Sequence, residues 1–185
     1  EIREEDGQRI VEFDNWQVGI DEIGDFSSLQ RMSILVEQAA LESEKENWEA
    51  VIQANREAVA IDSQYWQGYF YLGYAYGQLQ NYLWAVENYQ QALMLVPHQP
   101  IVLNNLAYTY FLQEVELKQG VQMAEKAVNL ERKSTNLDTL GYGYYLVGRY
   151  AEAKEILEEA ISIACEEERA EIEELVLKIE EEKEL

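Results

Sequence analysis

Catalysis needs convergent polar side chains, and this sequence supplies few. One histidine, His98, and one cysteine, Cys165, leave no means of assembling a zinc site of the His/Cys kind within the chain. His98 falls in the turn VPHQP, where an exposed loop residue is expected rather than a general base. Cys165 ends the apolar helical run of Leu157, Ala160, Ile161 and Ala164 and reads as a buried thiol of low reactivity. Gly141-Tyr142-Gly143 lacks the strand-loop-helix setting of a phosphate-binding loop. The glutamate runs 166–168 and 180–182 belong to a charged helix face, and nothing pairs them for acid–base work. The expectation is a protein with no catalytic residues, no metal and no cofactor.

Charge narrows the partners. With 36 acidic against 14 basic residues the net charge is −22, which argues against nucleic acid and against direct binding to anionic membranes. No run of eighteen or more apolar residues occurs. The sequence opens at Glu1 rather than at a methionine. A cytoplasmic location is favoured, with a membrane-tethered or exported protein whose N-terminal segment is missing as the alternative. The charge is also uneven: from Ser63 to Gln113 the only charged side chain of Asp, Glu, Lys or Arg is Glu87, while thirteen aromatic residues fall in the same window. A packed core needs only some of these rings, and the others point to a binding surface.

The elements that must position those rings repeat. In WQGYFYLGYAYGQLQNYLWAVENYQQALMLVPHQ, Tyr69, Leu72, Gly73 and Tyr76 share one helical face and Ala85, Tyr89, Ala92 and Leu93 share another. A polar turn at Gln80-Asn81 joins the two helices, and Pro97 ends the second. Gly73, Ala107 and Gly141 stand 34 apart, as do Tyr76, Tyr110 and Tyr144. A helical hairpin recurring at that period resembles the tetratricopeptide repeat. Tyr69, Leu72, Gly73, Tyr76, Tyr82, Ala85, Tyr89, Ala92 and Pro97 fall on the family's pattern, and so do Leu140, Gly141, Tyr144, Gly148, Tyr150, Ala153 and Ala160.

The resemblance implies an all-α fold: a right-handed superhelical solenoid of about four helical hairpins with a C-terminal capping helix. Residues 1–26 lie outside the repeats as an N-terminal arm. The solenoid spans 27–165, with units near 32–65, 66–99, 100–133 and 134–165. In the arm, Ile10–Phe13 and Trp16–Ile20 read either as a hairpin about Asp14-Asn15 or as an extended segment docking Phe13, Trp16 and Ile20. The third unit departs from the pattern: its second helix, with Gly120, Ala124, Ala127 and Val128 as packing face, sits one residue late, and the connection 113–118 lacks the usual glycine. In residues 166–185, Ile172, Leu175, Val176 and Ile179 form one apolar stripe on an acidic helix. That helix reads as the polar cap a solenoid needs, with recruitment of a basic partner by its glutamates as the alternative.

In the repeat family the first helices line a concave groove. The residues matching that face are Phe70, Tyr74 and Gly77, then Ile101, Asn104, Tyr108, Phe111 and Leu112, then Thr135, Asp138, Tyr142, Tyr145 and Leu146. Tyr74, Tyr108 and Tyr142 are again 34 apart, which stacks three phenols along the groove unless they merely fill gaps between helices. The family's best-known ligand, the acidic chaperone C-terminus, needs a clamp of Lys, Arg and Asn, and the second and third groove faces offer no cation. A neutral aromatic groove within an acidic protein favours instead a partner segment carrying basic residues. Leu83 and Trp84 open the second helix of their hairpin, where acidic residues are usual. They form a convex contact for docking or self-association, or else pack in part against the neighbouring helix.

The reading is therefore a protein-protein interaction scaffold, adaptor or complex-assembly factor that holds a protein or peptide in an aromatic groove. Its alternatives are a self-assembling structural protein using its aromatic surfaces and N-terminal arm, and a regulatory domain of a larger protein.

Overall fold

The computed structural model describes the backbone of residues 2–5, 8–13, 16–19 and 26–183 and the side chains of 27–181. Among these, nine helices follow one another: α1 (Phe26–Glu44), α2 (Trp48–Ile61), α3 (Trp66–Gln78), α4 (Tyr82–Leu95), α5 (Pro100–Leu112), α6 (Leu117–Leu130), α7 (Ser134–Leu146), α8 (Tyr150–Ile163) and α9 (Glu166–Lys183). Ahead of them β1 (Ile2–Glu5), β2 (Gln8–Phe13) and β3 (Trp16–Gly19) form an antiparallel sheet in the order β1-β2-β3. Phe13 stands opposite Trp16, so two residues connect β2 to β3, the geometry of the hairpin alternative. Asp14, Asn15 and any docking of Phe13, Trp16 and Ile20 lie outside the described residues. The backbone divides into two compact units, Glu1–Asn81 and Tyr82–Leu185.

One backbone device recurs at the period read from the sequence. Glu46, Gln80, Glu114 and Gly148, each 34 from the last, adopt left-handed φ of 55°, 58°, 52° and 76°. At each, two reverse hydrogen bonds close the preceding helix, as in Gln80 N–H to the Gly77 carbonyl and Asn81 N–H to the Tyr76 carbonyl, at 2.9 and 2.8 Å. This is the Schellman stop, which satisfies the last free carbonyls of a helix and favours glycine. Only the last of the four has it. In the third repeat Glu116 is left-handed as well, with φ 48°, and absorbs the extra residue that starts α6 one position late.

No atom stands within 4 Å of where a Cβ on Gly148 would lie, so substitution there changes conformational cost alone. Gly148→Ala is expected to destabilise by about 1 kcal/mol, and Gln80→Gly and Glu114→Gly to stabilise by about 0.5–1 kcal/mol each. Urea midpoints at constant m-value read these changes, and shifts of the same sign for all three would refute the assignment.

Each unit has its own core. In the first, Leu29, Met32, Leu35 and Ala39 of α1 pack on Ala54 and Ala58 of α2, with Tyr65 closing the cluster. In the second, Ala107, Phe111, Val121, Ala124 and Val128 join Leu137, Leu140, Ala153 and Leu157. Ile172 and Ile179 of α9 are buried on the same cluster and Leu175 and Val176 half-buried, so the apolar stripe faces α7 and α8. Lys154 of α8 also pairs with Glu180 of α9.

The periodic tyrosines serve the hairpins. Tyr76 accepts a hydrogen bond from Arg56, Tyr110 accepts one from Gln90 at 3.2 Å, and Tyr144 donates to Glu125 at 2.9 Å. The partners are 20, 20 and 19 residues back, the last shortened by the late start of α6.

Cys165 corrects the sequence reading. It is exposed, because α8 ends at Ile163 and the buried Ala164 takes the extended capping conformation, turning the next side chain outward. His98 is exposed in its turn, as expected. No described helix is long and apolar enough to cross a membrane.

Candidate functional site

In the second unit the first helices of two hairpins, α5 and α7, bring their aromatic faces together. Tyr108 lies 6.4 Å from Tyr142, centroid to centroid, and Tyr142 lies 6.4 Å from Tyr145 with rings 19° from parallel. Tyr145 in turn meets Tyr150 at 5.9 Å. The ladder arises because Tyr142 and Tyr145 are three residues apart on α7, one turn of the same face. Tyr108 is 44% exposed and forms the open end. Burial raises its phenol above the ordinary value, and the neighbouring Tyr142 and Asp138 add to the shift.

Beside Tyr108 is a cleft of about 220 Å³ whose walls include Asn104 and Tyr108 from α5, Asp138 from α7, and Glu168, Glu171 and Ile172 from α9. The capping helix thus forms a wall of the site as well as a lid on the core. Glu168 is fixed by Ser134, whose hydroxyl donates to it at 2.7 Å. Asp138 stands one turn before Tyr142 and faces these glutamates. Burial, with Glu171 and Glu168 adding, pushes its carboxyl from 3.8 up to about 6. The Asn104 side-chain oxygen is buried and accepts no hydrogen bond. Among the described residues no three His, Cys, Asp or Glu side chains are placed to hold a metal ion.

The residues expected to line a groove separate into accessible and buried ones. Asn104, Tyr108, Tyr142 and Tyr145 are exposed or half-buried around the ladder and cleft. Phe111 is fully buried and not available to a partner. Its ring fits against Gly120 of α6 and Gly143 of α7, where added Cβ atoms would stand 2.5 and 2.4 Å from it. Two glycines open a slot, and the ring fills it. In the first unit Tyr74 is half-buried between Trp48 at 5.6 Å and Phe70 at 6.5 Å, while Phe70 itself is buried at 8% exposure. Phe70 therefore supports Tyr74 rather than lining an open face. Leu83 and Trp84 are exposed at 83% and 53% in the first turn of α4. Sequence reasoning missed Glu168, which it placed in a run on a charged helix face, and did not single out Glu171; their part in the site depends on where α9 docks.

Residues 66–99 and 137–164 each match a family model described as a tetratricopeptide repeat. No match was found among the curated proteins compared with the chain. Solved structures of the same architecture are numerous. The chain is similar to residues 41 to the end of MamA from Desulfovibrio magneticus RS-1, with 14% identity, TM-score 0.74, and 83% of this chain and 86% of that one covered. It is similar to the Sgt2 TPR domain from Aspergillus fumigatus at 26% identity and TM-score 0.57, covering 65% of this chain and 82% of that one. It is similar also to the first TPR of Spaghetti (RPAP3) bound to an HSP90 peptide, SRMEEVD, at 22% identity and TM-score 0.60, covering 67% and 97%. These likenesses carry the fold class: an all-α solenoid of tetratricopeptide hairpins, to which the N-terminal sheet is an addition.

Proposed function

We propose that this chain, a tetratricopeptide-repeat protein, is a non-enzymatic scaffold that holds a segment of a partner protein against the tyrosine ladder of its second unit. The observation that carries the reading is the ladder itself: the rings of Tyr108, Tyr142 and Tyr145 follow one another, with Tyr108 open to solvent. Tyrosine suits recognition because it offers wide apolar area with a polar tip and loses little entropy when held. A structural neighbour, the first TPR of Spaghetti, is bound to a peptide, which supports peptide binding by this architecture. That peptide, SRMEEVD, carries two glutamates and an aspartate. The cleft beside Tyr108 displays carboxylates instead, so the partner segment proposed here bears basic residues.

The test is affinity capture from an extract of the source organism with wild type and with the Tyr108→Ala, Tyr142→Ala double variant, after circular dichroism has shown both to be helical. Each ring removed from a buried contact is expected to weaken binding by about 2 kcal/mol or more, enough for the pair to abolish capture. Equal capture of the same partner by both proteins would sink the proposal.

A further inference from the structure

We infer that the cleft walled by Asp138, Glu168 and Glu171 is a pocket for one arginine side chain of the bound segment. This inference rests on the ladder being the binding face, and it adds which ligand group the site selects. Three independent features converge on it.

The first is the balance of hydrogen-bonding groups. The carboxylates of Asp138, Glu168 and Glu171 and the orphaned Asn104 oxygen are all acceptors, and no lysine or arginine lines the cleft. Glu168 has Ser134 and the Cys165 N–H as donors. Among the described residues no hydrogen bond or ion pair reaches Asp138 or Glu171. A half-buried carboxylate without a donor is a costly arrangement in a folded protein unless a donor arrives from outside. A guanidinium brings five N–H groups in a rigid planar fork, enough to serve the Asp138 and Glu171 carboxylates together.

The second is shape. The cleft of about 220 Å³ takes a side chain, and among the described residues no three carboxylates are placed to hold a metal ion, so an extended organic cation suits the cleft better than a bare ion. The third is the aromatic wall. Among the described residues no cation lies over the Tyr108 ring, whereas at the other end of the ladder the Lys178 ammonium of α9 sits 5.0 Å from the Tyr145 centroid. A guanidinium entering beside Tyr108 finds a partly exposed ring on one side and carboxylates on the other.

The probe is N-acetyl-arginine amide, titrated into the full chain and followed by amide chemical shifts, with N-acetyl-citrulline amide as the uncharged isostere. Arginine amide is expected to move the resonances of Asn104, Tyr108, Asp138 and Glu171, to bind at least tenfold more tightly than citrulline amide, and to lose at least tenfold in affinity in both Asp138→Asn and Glu171→Gln. Citrulline binding as well as arginine, shifts that map elsewhere, or unchanged affinity in the two variants would each overturn the inference. Its failure is distinguishable from failure of the ladder reading. A partner lost from the Tyr108/Tyr142 variant but captured equally by Asp138→Asn and Glu171→Gln leaves the ladder as the binding face and refutes the arginine pocket.

Discussion

Phe111→Ala is expected to destabilise the second unit by about 3–5 kcal/mol, the range for emptying a buried phenylalanine site. The ring is fully buried among α5, α6 and α7, held between Gly120 and Gly143. Collapse into the space is limited because glycines have no side chains to move inward. The converse substitution is also costly. Gly143→Ala places a methyl 2.4 Å from the ring, and Gly120→Ala one 2.5 Å away, so the ring must move or the helices must part. Overpacking of this kind costs about 1–3 kcal/mol. The two effects are coupled, because a smaller residue at 111 leaves room for the methyl. In a Phe111→Leu background Gly143→Ala is expected to cost less than in wild type, by a coupling of about 0.5–3 kcal/mol. Urea unfolding of the four proteins of this cycle, and of Phe111→Ala beside them, decides the matter. Additive losses, or a Phe111→Ala loss below about 1 kcal/mol, would show that the slot is not what holds α7 to its neighbours.

The same ring bears on the site. Phe111 meets Tyr142 edge-on at 6.1 Å and 87°, so it supports the middle of the ladder from below. This explains why Phe111 was read from the sequence as a groove residue. It lies one turn from Tyr108 on α5, and helical spacing alone places both on one broad face. What draws Phe111 inward and leaves Tyr108 out is the pair of glycines on two other helices, and spacing along one helix carries no information about them.

The period of 34 is legible from the small residues at 73, 107 and 141 and from the tyrosines at 76, 110 and 144; the left-handed stops at 46, 80, 114 and 148 keep the same period, but only the glycine at 148 marks one in the sequence. The displaced start of α6 was legible as an extra residue. Its second left-handed position, Glu116, was not, since neither glycine nor asparagine marks it. Cys165 was misread by continuing an apolar helical pattern past the residue where the helix stops. The acidic wall of the cleft was hidden for a different reason. Glu168 and Glu171 flank the apolar stripe of α9, and a stripe says which face docks but not which residues of another helix its edges will meet.

Asp138→Asn is expected to make the protein more stable, and to do so only above acid pH. The sign follows from the direction of the shift. Folding raises the Asp138 carboxyl from 3.8 to about 6, through burial and through Glu171 and Glu168 of α9. The other titratable group at hand is the Tyr108 phenol of α5, itself shifted upward and neutral in this range. Below pH 3.8 the carboxyl is protonated in both folded and unfolded chains, and it contributes no difference. Between that value and about 6 the unfolded chain ionises first, so stability falls as pH rises. Above about 6 the full penalty is present, on the order of 3 kcal/mol if the whole gap is expressed. Asparagine keeps the shape and removes the charge. Its stabilisation is therefore expected to be near zero at pH 3.5, to grow through pH 4–6, and to level off by pH 7. Urea midpoints across that range measure it, and a stabilisation independent of pH would mean that the carboxylate's charge is not the cause. Retaining a residue that weakens the fold is intelligible where the charge has another use, and a cationic side chain from a partner is the group that removes the penalty. The variant that gains stability should then be the one that loses the ligand.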